Sequence, residues 1–122
     1  MNKVKNFEDL ICWQKARKLR RKFYQLAKPL PDYEKYRLSN QIRGAAVSAT
    51  SNIAEGFGRY NYQEKIQFVR MSRASVFELQ DHLYTCIDEG YISQAKFDEL
   101  YLDAVDAAKS INKFISYIFD QK

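Results

Sequence analysis

Along four stretches of this chain apolar residues return every three or four positions, and nowhere do they alternate one in two. The first spacing aligns side chains on one face of an α-helix, whereas a half-buried strand needs the second. Over residues 7–27 the stripe is Cys12, Ala16, Leu19, Phe23 and Leu26. Over 33–57 it is Leu38, Ile42, Ala45, Ala46, Ala49, Ile53 and Gly56, mostly small residues that let a neighbouring helix approach closely. Over 62–89 it is Ile66, Val69, Met71, Val76, Leu79, Leu83, Cys86 and Ile87. Over 94–119 it is Phe97, Leu100, Ala104, Ala107, Ile111, Ile115 and Ile118.

The punctuation agrees with this division. Asn6, Asp32, Asn61 and Ser93 stand where N-caps are wanted, and Asn61 has Glu64 three positions on, as in a capping box. Pro29 and Pro31 end the first helix, and Gly90 suits the residue that ends the third. With only 4 Gly and 2 Pro there is little turn material for a sandwich or barrel. Connections of a few residues set consecutive helices antiparallel. The expected fold is all-α, an up-down-up-down antiparallel four-helix bundle occupying residues 1–122 as one domain.

The same composition narrows the chemistry. The single His and the 2 Cys cannot supply the four ligands of an ordinary zinc site. A di-iron bundle needs two Glu-x-x-His motifs, whereas here Glu78 precedes the lone His82 by four positions. Neither GxxxxGK[ST] nor GxGxxG occurs. No catalytic residue, metal or cofactor is therefore assigned. Cys12 and Cys86 each fall in an apolar stripe and read as buried, reduced and structural. No apolar run approaches the ~20 residues of a membrane span, and MNKVKNFEDL has no signal-peptide core. A cytoplasmic protein with no membrane partner is expected.

Charge is distributed unevenly. Residues 1–44 hold 12 Lys/Arg and 4 Asp/Glu, residues 45–81 hold 4 of each, and residues 82–122 hold 4 and 7. The run KARKLRRK places Lys15, Arg17, Lys18, Arg21 and Lys22 around nearly half of the first helix, opposite its apolar stripe. Only Glu8 and Asp9 lie nearby in sequence, so pairing along the helix cannot neutralise it. The arc is a candidate for phosphate contact with nucleic acid, or a solvated face. Readers of specific sequence are not indicated, because no RNP, KH or helix-turn-helix pattern is present.

Three other groups stand out. Trp13, Arg20 and Tyr24 lie between the basic arc and the apolar stripe, where they either widen the core or form an oligomer interface of the hot-spot type. Gln41, Ser48, Asn52 and Glu55 form a polar stripe on the second helix, suited to polar packing, to a subunit interface or to lining a groove. Tyr33, Tyr36, Tyr60, Tyr62 and Tyr91 sit near helix ends, either sealing the bundle or offering rings to bases.

QIRGAAVSATSNIAEGFGR, from Gln41 to Arg59, resembles the signature of the four-helix-bundle proteins encoded in 23S rRNA intervening sequences. FEDLICWQKA, from Phe7, FVRMSRASVFELQDHL, from Phe68, and GYIS, from Gly90, are similar to that family's first-helix, third-helix and turn segments. The fourth helix matches only in its apolar pattern. The sequence departs at Gly44, where the family often has Arg, at Ala49-Thr50 in place of Ile-Pro, and at Ser72 and Ala74 in place of Ala and Gly. The resemblance implies a ring-shaped homo-oligomer, a homopentamer. It also implies kinship with the accessory variability protein of diversity-generating retroelements, a basic barrel that binds reverse transcriptase and RNA. It brings no catalytic residues. The expected function is a non-enzymatic oligomeric scaffold whose first helix contacts RNA or a nucleic-acid-handling protein, the alternative being a protein-only assembly module.

Overall fold

A computed structural model describes residues 4–121, and the expectations for residues 1–3 and 122 fall outside it. Four helices carry the structure: α1 (Ile11–Ala27), α2 (Leu38–Phe57), α3 (Tyr62–Asp88) and α4 (Gln94–Asp120). No strand occurs among the described residues. Cross-helix bonds fix the topology. Ser75 of α3 meets Ser48 of α2 while Ser72 meets Ala49, and Arg73 of α3 meets Asn112 of α4. Lys15 of α1 meets Asp106 of α4 while Lys22 meets Glu99. Tyr84 of α3 also meets Phe97 of α4, so for α2/α3, α1/α4 and α3/α4 one partner's number rises as the other falls, and these neighbours run antiparallel in an up-down-up-down bundle.

The core is the sum of the four stripes. Every residue of the α1, α2 and α4 stripes is buried, from Phe23 and Ile53 at 0% exposure to Phe97 at 9%. On α3 the stripe holds except at its margins, since Met71 is exposed and Ile87 only half-buried. Burying a Leu, Ile or Phe side chain stabilises the fold by roughly 1.5–3 kcal/mol each, so these stripes dominate the energetics. Helix α2 packs most intimately on α3. A Cβ placed on Gly56 would stand 3.0 Å from the Lys65 carbonyl oxygen and 3.2 Å from Val69 Cγ2, so only a hydrogen there permits the approach.

Two expected helix starts are displaced. Residues Phe7–Asp9 form a separate 3-10 turn, closed by Asn6 and Asp9 in a capping box, and α1 begins at Ile11. Leu10 between them is extended (φ −74°, ψ 130°), which turns its side chain into the core at 7% exposure. Helix α2 begins at Leu38 rather than near Tyr33, because Asp32–Glu34 form a second 3-10 turn and Arg37 leaves helical geometry (φ −122°, ψ −103°). Asp32 therefore opens that turn and does not cap α2.

Asn61 and Ser93 cap their helices as expected, though at Asn61 only the asparagine half of the capping box is made. Asn61 Oδ1 accepts from the Gln63 and Glu64 amides, and Ser93 Oγ accepts from the Lys96 amide. At the end of α3 Gly90 is left-handed (φ 74°), its amide bonds to the Ile87 carbonyl, and the Tyr91 amide bonds back to Cys86 at 2.8 Å. This is the Schellman closure, and it favours glycine because a side chain would be strained at that φ.

Candidate nucleic-acid interface

Helix α1 is amphipathic with a third kind of surface along each flank. At 100° per residue Lys15 and Lys22 lie on the flank toward α4, Trp13, Arg20 and Tyr24 on the flank toward α2, and Arg17, Lys18 and Arg21 point away from the bundle. The α4 flank is paired. Lys15 Nζ is 2.9 Å from Asp106 Oδ1, and Lys22 Nζ is 2.6 Å from Asp103 Oδ2 and 3.1 Å from Glu99 Oε2. Asp103 and Glu99 raise the pKa of Lys22, and Lys22 with Lys96 holds that of Glu99 below its ordinary value. Acids remote in sequence thus neutralise part of the basic run that local acids cannot.

The outward part stays unpaired. Among the described residues Arg17, Lys18 and Arg21 form no ion pair. All three are exposed, and with Gln14, Lys22 and Gln25 they line a shallow concavity of about 440 Å³. Arg17 lies over the Trp13 ring, 5.8 Å from its centroid. Lys109 and Lys113 on α4, which sequence analysis passed over, add two more exposed cations beside Lys15.

On the α2 flank each residue has an intrachain role. Trp13 meets Phe7 edge to face at 5.3 Å, and both Trp13 and Tyr24 pack half-buried against the core. Arg20 donates to Thr50 Oγ1 at 3.0 Å, and Thr50 donates to the Val47 carbonyl at 2.9 Å. These contacts tie α1 to α2.

The polar stripe of α2 divides in two. Asn52 donates to the Ser48 carbonyl at 2.9 Å and to Ser48 Oγ at 2.7 Å. Ser75 of α3 donates to Ser48 Oγ at 2.8 Å, with the Met71 carbonyl 3.1 Å away as the other acceptor. Ser48 and Asn52 are thus joined to one another and to α3. Gln41 and Glu55 are exposed and not part of that network, and Glu55 pairs with Arg59 at 3.0 Å. No buried side-chain nitrogen or oxygen among the described residues lacks a partner.

Burial separates the remaining candidates. His82 is 6% exposed and its Nε2 lies 3.0 Å from Glu78 Oε2, a structural contact along α3. Cys12 and Cys86 are free and buried, and burial pushes their pKa values up to about 12 and about 11. Tyr91 packs half-buried against the core and donates to Glu34 at 2.7 Å, so Tyr33, 2.9 Å away and itself 69% exposed, donates to Tyr91. Tyr36 and Tyr60 do not seal an end, being 83% and 100% exposed, because their short connections lie outside the packed helices. Phe77 and Tyr84 on α3 and Leu102 on α4 are further apolar side chains left exposed. Among the described residues no group of three or more His, Cys, Asp or Glu could hold a metal, and no helix is long and apolar enough to cross a membrane.

Fold and surface together define a small four-helix-bundle protein with a basic first helix and a small-residue stripe on α2. The model of the 23S rRNA-intervening sequence protein family matches residues 8–113, and the chain belongs to that family. Among solved structures, a protein of unknown function from the S23 ribosomal protein family of Bacteroides thetaiotaomicron is similar in fold, with a TM-score of 0.80 at 20% identity. The match covers 87% of this chain and 96% of that one. No curated protein matches the sequence.

Proposed function

We propose that this protein is a non-enzymatic cytoplasmic scaffold that assembles into a homo-oligomer and binds RNA through the outer face of α1. The observation that carries the reading is the unpaired state of Arg17, Lys18 and Arg21 beside the paired state of Lys15 and Lys22. Water alone satisfies three adjacent exposed cations, but a polyanion would gain from each through counterion release, and their unpaired state leaves them free to make that contact. Lys15 and Lys22 contribute as shared charges, each already holding a carboxylate. The ring-shaped homopentamer follows from the family resemblance, with Trp13, Arg20 and Tyr24 as the candidate contact edge. An assembly module that binds only protein is the second reading, and the exposed Phe77, Tyr84 and Leu102 favour it.

The test is fluorescence anisotropy of a labelled 30-nucleotide RNA, about the length of several contact sites, titrated at low and physiological salt. Affinity that falls steeply with salt is expected. Replacing Arg17, Lys18 and Arg21 together by Gln lowers the salt slope by ~2, at about 0.7 per lost phosphate contact. No binding by the native protein at low salt removes RNA from the reading, and the protein-only module then stands.

A further inference from the structure

Resting on the RNA reading, we propose that the bound strand is single-stranded and that one unstacked base enters the cavity between the start of α1 and the C-terminal half of α4. The cavity measures about 440 Å³, inside the ~300–1,000 Å³ range of small-ligand pockets. Its apolar wall includes Leu10, Ile11 and Phe114, and its rim carries Lys15, Lys109 and Lys113. Ile11 is 60% exposed, an apolar side chain presented to solvent among lysines. Phe114 continues outward into Tyr117, whose ring is stacked on it at 6.5 Å and 14°.

Charge at the rim favours an anion. Asp9 and Asp106 also line the cavity, and with Lys15 held by Asp106 the positive excess rests on Lys109 and Lys113. Asp9 Oδ2 accepts from the Lys5 and Asn6 amides at 3.0 and 3.1 Å, and Asp106 Oδ1 accepts from Lys15 at 2.9 Å. Lys109 and Lys113, one turn apart on α4, form no ion pair among the described residues. An apolar concavity beside two unmatched ammonium groups suits the flat face and flanking phosphates of a nucleotide, the combination that single-strand sites use. Bases within a duplex are stacked and cannot enter such a cavity. Lys15 stands one turn before Lys18, so the cavity lies at the end of the α1 arc and extends the same track.

The experiment compares a short single-stranded RNA with a central 2-aminopurine against the same sequence as a duplex, by anisotropy and by base fluorescence. Single-stranded RNA binds at least tenfold more tightly, and the 2-aminopurine signal changes on binding. The double variant Lys109→Gln, Lys113→Gln lowers the salt slope for the single strand by ~1.4, two contacts at about 0.7 each. Phe114→Leu weakens the single strand by roughly fivefold or more, the lower end for a lost stacking contact. Ile11→Ser, at an exposed position outside the core, gives the same loss should Phe114→Leu perturb packing. Equal affinity for the duplex, or an unchanged slope in the double lysine variant, overturns this proposal. If Arg17, Lys18 and Arg21 still matter in that case, the α1 reading survives. Absence of RNA binding by the native protein removes both.

Discussion

Lys22 Nζ lies 2.6 Å from Asp103 Oδ2, 81 residues later in the chain, and so joins α1 to α4. The pair closes a clasp between the most basic and the most acidic parts of the molecule. Lys22→Gln is expected to destabilise the fold by about 0.5–1 kcal/mol in low salt, the upper range for partly exposed pairs, with the difference shrinking in high salt. Chemical denaturation at two salt concentrations measures it.

The clasp also sets a pH window. Glu99 titrates below its ordinary 4.5 in the folded protein, so its contribution is present above that pH and is lost as pH falls through the depressed value. Lys22 titrates above its ordinary 10.5, so its contribution is present below that pH and is lost as pH rises through the elevated value. Acid and alkaline unfolding should both be less steep in the Lys22→Gln variant.

Gly56 and Gly44 make a matched pair on one helix. Gly56→Ala forces a Cβ to 3.0 Å from backbone and is expected to destabilise by about 1–3 kcal/mol, overcoming its gain in helix propensity. Gly44→Ala meets nothing within 4 Å and is expected to stabilise by roughly 0.5–1 kcal/mol. Thermal unfolding of the two variants should move in opposite directions.

The Ser48–Ser75–Asn52 network should behave as a unit. Ser48→Ala and Ser75→Ala each cost about 1 kcal/mol, because each leaves a donor or acceptor without its partner. Together they should cost at least ~0.5 kcal/mol less than the sum. A double-mutant cycle by urea denaturation gives the coupling directly, and simple additivity would rule it out.

Cys12 and Cys86 should be inert in the native state. Their raised pKa values, about 12 and about 11 against an ordinary 9.0, keep them as thiols at neutral pH. The stability linked to them is fully present below pH 9 and declines as pH rises toward those values. Alkylation at pH 8 is expected to be at least ~100-fold slower than for a free thiol and to accelerate in urea, since it tracks opening.

Helix order and core were legible in the sequence because each helix buries a stripe that its own spacing displays. Leu19, Ile53, Leu79 and Ile111 needed no knowledge of their neighbours to be placed inside. The start of α2 was not legible, since the break lies at Arg37, whose backbone leaves helical geometry, while Glu34 bonds to Tyr91, 57 residues later. The sequence displays the basic arc as local charge but not its paired and unpaired halves. One signal existed. Lys15 and Lys22 are seven apart, as are Glu99 and Asp106, a matched heptad on two facing helices. Lys109 and Lys113 were hidden by the net acidity of the segment that carries them.

The placement of Trp13 has a practical result. It is the single tryptophan of the chain, half-buried beside Phe7, with the Arg17 guanidinium 5.8 Å from its ring. Anything that draws Arg17 toward a new anion changes the field on that indole. The molecule therefore carries an optical reporter at the edge of the surface in question, readable without any label.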